Sequence, residues 1–459
     1  MHPLRSWRRL ADQTACPTIG SKGLAAVAQA VSPATRDFFS ARHRRGSLIC
    51  LLATLAVAFG ELGGMFSGGL QHPAIQYYTR PVTDPVYQLN RRIQDGTVHL
   101  KFDGPQGYLQ SLLAELHVPV ESQLVVFSKT SLLARLISPH HPRTVFFNDS
   151  VVLTWIPGEP FVELAAQDPR QGIIFYTLDD KKPVDKPVIT RHNNNCLVCH
   201  QSLASLGVPG MMVRSVLVSS GGTPLSYLGN TFPDHRTPFV ERWGGWYVTG
   251  KRVPEGHRGN ARVTIENQSS VMTGAANLQS LQGLLDSPAY PTPYSDVVAL
   301  LVFEHQMHMM NLLTRAGWEA RVAPQPSLRD LALHDLAIEL ADYLLFIDEW
   351  PLPSRVEGNS GFSEKFSAGG PRDSRGRSLR EFDLEHRLMR YPCSYMIYSA
   401  AFDGLPGELK VAIYKRMWQI LSGQEQDSRY AKLSPSDRQA VSEILRDTKP
   451  DVREYFQSF

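Results

Sequence analysis

Cysteine is scarce in this chain, with five among 459 residues. Cys16, Cys50 and Cys393 each stand alone, so no disulfide framework is available to hold the fold. No second C-x-x-C pair accompanies Cys196 and Cys199, which removes a zinc ribbon from consideration. One-sided charge is missing too. The formal net charge is +3, from 47 basic and 44 acidic residues, so nothing in the composition points to nucleic acid or to an acidic membrane surface. Long apolar runs are also absent. The best candidate, residues 48–59, is short for a membrane span, and extending it to Phe66 takes in Gly60, Glu61, Gly63 and Gly64. No internal repeat or low-complexity run stands out. What remains is an ordinary globular composition, 42% hydrophobic, long enough for two or three domains.

The informative stretch is Cys196-Leu197-Val198-Cys199-His200. Two thiols at this spacing, followed at once by a histidine, form the C-x-x-C-H pattern of covalent haem attachment. Each sulfur can add to one vinyl group of a porphyrin, and one turn of chain presents both sulfurs to the same edge. The adjoining histidine then lies beneath the iron as its proximal axial ligand. A thioredoxin-like redox pair usually opens a helix after a strand, whereas this motif follows the polar run Arg191-His192-Asn193-Asn194-Asn195. A disulfide between Cys196 and Cys199 would close a small, strained loop. On these residues the chain resembles the c-type cytochromes, over the motif and the loop after it rather than over its whole length. The resemblance implies one covalent haem c on Cys196, Cys199 and His200. The loop Gly207-Val208-Pro209-Gly210, at a different spacing, resembles one whose proline carbonyl accepts a hydrogen bond from the proximal histidine, which would make Pro209 fix the His200 ring; a plain turn is the alternative.

Covalent haem attachment takes place outside the bacterial cytoplasm, so an export signal is expected. Arg42, Arg44 and Arg45 precede the apolar run 48–59, and Ala56-Val57-Ala58 fits a small-residue cleavage site. Residues 1–66 are therefore expected to be a basic leader with a cleaved signal, or alternatively an N-terminal membrane anchor. An organellar targeting peptide and a true start downstream of Met1 remain further alternatives. A twin-arginine signal at Arg44-Arg45 is disfavoured, because that route carries folded proteins. The expected location is the periplasm.

The expected fold is α+β, with an N-terminal antiparallel β meander and short helices, a loop-rich haem region and a mainly helical C-terminal half. The expected regions are 67–187, 188–294 and 295–459. Asp84-Pro85 reads as an N-cap and first turn for Val86, Leu89 and Ile93, closed by Gly96. A second helix is expected over 107–117. Strands are expected over 124–127, 144–147, 151–155, 161–164 and 173–176, punctuated by Asn148-Asp149, Pro157-Gly158 and Asp168-Pro169. Ser295 is expected to cap a helix that Gly317 stops, and Ser327 with Asp330 to open the next. A loop is expected over 354–379, then helices over 409–421 and 435–445, the last opened by Ser434-Pro435.

The second axial ligand decides between functions. His305, on an inward apolar stripe with Val298, Leu301, Met309 and Leu312, and His257, in the polar loop Gly256-His257-Arg258-Gly259, rank ahead of Met272 and then of Met211 and Met212. Asp234, His235, Arg236 and Arg242 form a charged cluster that is either a propionate clamp or a solvated salt-bridge patch. Cys393, among aromatics, is expected to be a buried, inert thiol. The expected activity is electron transfer with a redox protein or a small-molecule donor or acceptor. A peroxidase-like, haem-dependent oxidoreductase with an open distal side is the alternative. The bacterial cytochrome c peroxidases carry two C-x-x-C-H motifs, and this chain has one.

Overall fold

The computed structural model describes residues 69–266, 269–274, 277–322 and 326–456. The expected export segment, with Cys16 and Cys50, lies outside the described residues. Helix α1, Pro85–Gln94, opens as its sequence dictates, since the Asp84 carboxylate accepts from the amides of Val86 and Tyr87 and Pro85 fills the first turn. Helix α2, Leu109–Glu115, follows, shorter at both ends than expected.

Strands β1 (Leu124–Val126), β2 (Arg143–Phe147), β3 (Val151–Trp155), β4 (Phe161–Asp168), β5 (Gly172–Asp179) and β6 (Ile189–His192) run antiparallel, each pairing with the next. The meander is thus present, but larger than the sequence predicts. It gains β6 at one edge and β9 (Trp246–Tyr247) beside β1 at the other, making seven strands. The short strands β7 (Ser215–Val216) and β8 (Asn230–Thr231) pair separately, as do β10 (Arg262–Glu266) and β11 (Ser269–Thr273). Both faces of the main sheet are covered, so β1, β3 and β5 read as nearly continuous apolar runs. Alternation still shows in β1, where Leu124 and Val126 enter the main core while Val125 joins Phe127 in a smaller one.

After the one-turn helix α3 (Leu197–His200), the C-terminal half is helical. Its helices are α4 (Val297–Val322), α5 (Pro326–Leu344), α6 (Phe362–Ala368), α7 (Ala400–Asp403), α8 (Gly407–Leu421) and α9 (Pro435–Thr448). Helix α4 is the central pillar. It is buried on nearly every side, and it packs against β5, α5, α6 and α7. Two expectations for it change. Asp296, not Ser295, caps it, accepting from Val298 and Ala299, while the Ser295 hydroxyl donates to the Tyr247 carbonyl and accepts from the Val125 amide. Gly317 does not stop it. That glycine sits inside the helix, where a Cβ would crowd Leu405 and the Arg321 guanidinium, so its small size serves packing rather than termination. In the expected 354–379 loop, α6 forms on Phe362 and Phe366. Helix α9 starts at the expected Ser434, whose hydroxyl accepts from the Asp437 amide. One hydrophobic core joins sheet and helices, and Gly69–Phe459 forms one compact unit. Among the described residues, no helix is long and apolar enough to cross a membrane.

Candidate functional site

The C-x-x-C-H stretch closes a single helical turn. The Cys196 carbonyl accepts from the amides of Cys199 (3.3 Å) and His200 (2.9 Å). Cys196, Cys199 and His200 therefore occupy one side of the turn, at i, i+3 and i+4, and all three line the same cavity of about 270 Å³. Neither cysteine is in a disulfide, with Cys199 exposed and Cys196 half-buried. Burial pushes the Cys196 thiol up to about 11, so it is protonated at neutral pH.

His200 is held from behind. Its Nδ1 lies 2.9 Å from the Gly210 carbonyl oxygen, and the Gly210 amide donates back to the His200 carbonyl at 2.9 Å. A carbonyl can only accept, so Nδ1 carries the ring proton and Nε2 carries the lone pair. Burial lowers the His200 pKa, against the Gly210 hydrogen bond, which raises it; the ring is neutral at pH 7. It rests on Phe175 of β5, with ring centroids 4.9 Å apart. The acceptor is Gly210 and not the expected Pro209, whose carbonyl is taken by the Ile173 amide of β5. The pin itself is fixed by α4. Asn311 donates to the Met211 carbonyl and accepts from its amide, and a Cβ on residue 210 would overlap the Asn311 amide oxygen. Only glycine brings this segment close enough.

The other wall of the cavity is one face of the sheet. Val145, Val152, Ala165 and Phe175 supply apolar surface, and Arg143, Thr154, Glu163 and Thr177 supply a polar row. Leu132 and Phe232 also line it, although they are 62% and 43% exposed, which leaves uncovered apolar surface at the mouth.

The distal candidates fall into two groups. His305 and His257 do not line this cavity. His305 is fully buried, with Nδ1 2.7 Å from Nδ1 of His235 and Nε2 2.7 Å from the Ser394 hydroxyl. It stacks on Phe346 and Tyr343, and burial depresses its pKa to about 3. His257 accepts from the Gly259 amide and sits edge-on to Trp243, with a pKa lowered by burial to about 4. Met272 is exposed on β11 and also stands apart from the cavity. The lowest-ranked pair, Met211 and Met212, lines it. They follow Gly210 directly in the chain.

The cluster of Asp234, His235, Arg236 and Arg242 also lies outside the cavity; Asp234, His235 and Arg242 are buried, and Arg236 is exposed. Arg242 pairs with Glu304 at 3.1 Å and donates to the carbonyls of His235 and Thr237, while Asp234 pairs with Arg236. Burial pushes the Glu304 carboxyl up, and Arg242 pulls it back. Cys393 is fully buried, and burial raises its thiol pKa, as expected of an inert cysteine.

Sequence reasoning passed over Arg143 and Glu163. Their signal was period-2 alternation, which puts Arg143 on the face of Val145 and Phe147. It becomes legible only when strand register brings Thr154 opposite both Val145 and Glu163.

Among the described residues, no three His, Cys, Asp or Glu side chains converge as an ion-binding group. A zinc site needs such convergence, whereas a porphyrin asks the protein for one axial nitrogen and two thiols at its edge. A neutral His200 with its Nε2 lone pair available, two cysteines outside any disulfide on the same turn and a cavity with an apolar wall fit that group. The cavity volume is just under the range of roughly 300–1,000 Å³ usual for small-molecule sites, with the uncovered Leu132 and Phe232 extending the apolar surface. No protein-family model, no curated protein and no solved structure matches the chain.

Proposed function

We propose that this chain is an exported mono-haem c-type cytochrome that transfers electrons, with haem c linked to Cys196 and Cys199 and His200 as the proximal ligand. The observation that carries the proposal is the convergence of all three residues on one cavity, with His200 Nδ1 held by a backbone carbonyl. Cys196 and Cys199 would each supply a thiol to a vinyl group, sulfur to one carbon and hydrogen to the other, so attachment would consume no oxidant. Haem supplies a one-electron couple in a largely apolar setting. The chain's part is to hold the ligand ring neutral and oriented: Gly210 fixes the tautomer, Asn311 fixes Gly210, and Phe175 fixes the ring plane. The partner is a redox protein or a small-molecule donor or acceptor, encountered in the periplasm, with membrane association through the N-terminal segment as the anchored variant of this proposal.

A second reading, a haem-dependent oxidoreductase with an open distal side, has one specific support. His200 is the sole histidine among the residues lining the cavity. Production in a host with cytochrome maturation machinery tests both readings. The denatured, acid-washed polypeptide is expected to keep its red colour and the mass of one haem, and Cys196→Ala with Cys199→Ala to lose both. A bare-polypeptide mass in the wild type sinks the proposal. A low-spin spectrum indifferent to carbon monoxide supports electron transfer, and a high-spin spectrum that shifts with the gas supports the open site.

A further inference from the structure

The polar row on the cavity wall is built by register. Thr154 stands opposite Glu163 and Glu163 opposite Thr177, while Arg143 lies diagonal to Thr154 on the same face. The acid in this row is engaged, since Thr154 Oγ1 donates to Glu163 Oε2 at 2.9 Å. The base is not. The Nε of Arg143 is buried without a hydrogen-bond partner, and no ion pair joins Arg143 to Glu163 among the described residues. The contrast with Arg214 is direct. That second guanidinium of the cavity donates to Asn230 Oδ1 at 2.8 Å and to the Ser226 hydroxyl. Leaving the buried Nε of this half-buried arginine without an acceptor is costly, and the planar guanidinium fork matches a carboxylate or oxyanion.

We propose that Arg143 is the anion-binding group of this cavity, taking a carboxylate or a small anion into the space that His200 faces. The idea rests on the haem reading for its setting, and the same chemistry then has two sources: a propionate of the porphyrin itself, or a soluble anion. Burial depresses the Arg143 pKa, the nearby Glu163 charge offsets part of that, and a bound anion would offset more. Arg143 is a binding and positioning residue here, remote in sequence from the thioether motif.

The test uses the full haem-loaded chain and the variants Arg143→Leu and Arg143→Lys. Covalent haem content, read from the mass of the denatured polypeptide, reports on the cysteines and judges the haem reading alone. Azide is then titrated by absorbance, and the midpoint potential is followed across pH. If the anion is soluble, wild type saturates with azide and Arg143→Leu binds roughly tenfold to a hundredfold more weakly, with Arg143→Lys between them. If the anion is a propionate, azide affinity does not distinguish the proteins. The potential of Arg143→Leu and its pH dependence then shift, and Arg143→Lys recovers most of the shift. Equal azide behaviour together with superimposable potential-against-pH curves overturns the proposal. Should Arg143→Leu fail to accumulate, Arg143→Gln carries the same comparison. If wild type carries no covalent haem, the haem reading fails. Calorimetric titration with formate then judges Arg143 by itself, and identical isotherms for wild type and Arg143→Gln overturn it.

Discussion

Two histidines in this molecule are both held neutral by desolvation and differ in what they leave open. His200 and His305 both lose proton affinity through desolvation. His200 has Nδ1 committed to a backbone carbonyl and shares a cavity with two thiols. His305 has both nitrogens committed, one to His235 and one to Ser394, and is sandwiched by Tyr343 and Phe346. An apolar helical stripe finds buried histidines, but a ligand histidine needs a vacant nitrogen and space in front of it. The sealed cluster around α4 is a fastening between that helix and the 234–242 loop, whereas the His200 site is a socket.

The sharpest way to break the comparison is to remove each ring in turn. His200→Ala is expected to abolish the normal axial ligation, seen as loss of low-spin absorbance in material that still carries thioether-linked haem. His305→Gln is expected to leave the spectrum of the folded protein unchanged and to cost about 1–3 kcal/mol of stability, because it disturbs buried hydrogen bonds. A spectral change in His305→Gln of the size seen in His200→Ala would erase the distinction between socket and fastening.

The fastening should also carry a large share of the stability without touching the socket. Arg242→Ala leaves Glu304 buried without its guanidinium partner and strips the Thr237 carbonyl of its donors, while the His235 carbonyl keeps the Trp350 amide. A loss of roughly 3–5 kcal/mol is expected in a denaturant titration. A loss near zero would show that this loop is held by packing of Phe239 and Trp243 instead.

Much of the frame was legible in the sequence, for reasons that are local. Asp84 and Ser434 cap helices through their own side chains, and β2 to β5 are marked by turn residues between β-branched and aromatic runs. The C-x-x-C-H turn was legible because the proposed attachment chemistry asks for two thiols and a histidine at that spacing. What was not legible is set at long range. β9 is two residues that become a strand only beside β1, and Gly317 ended a helix by local rules while its real constraint is Leu405, far along the chain. Pro209 and Gly210 are adjacent, and which of them faces His200 depends on Ile173 and Asn311 from β5 and α4. Arg143 and Glu163 belong to the cavity only through strand register.

The smallest expected effect is a slope rather than a loss. His305 has a folded pKa near 3 against an ordinary value of 6.5, so it is neutral in the fold and takes a proton on unfolding below pH 6.5. Its contribution is therefore fully present above pH 6.5 and is lost as pH falls towards 3, by about 1.4 kcal/mol per pH unit at most. Glu304 works in the opposite sense. Its folded pKa is raised, so its contribution is present below its ordinary value of 4.5 and falls as pH rises towards about 8. The wild-type curve mixes the two, and the variant separates them. His305→Gln should be less stable than wild type at pH 7, and its deficit should narrow steadily between pH 6.5 and 4 as the wild-type histidine loses its advantage. Denaturation midpoints across that interval decide the matter. A deficit that stays constant with pH would mean that His305 acts there only as a shape, with no protonation cost behind its burial.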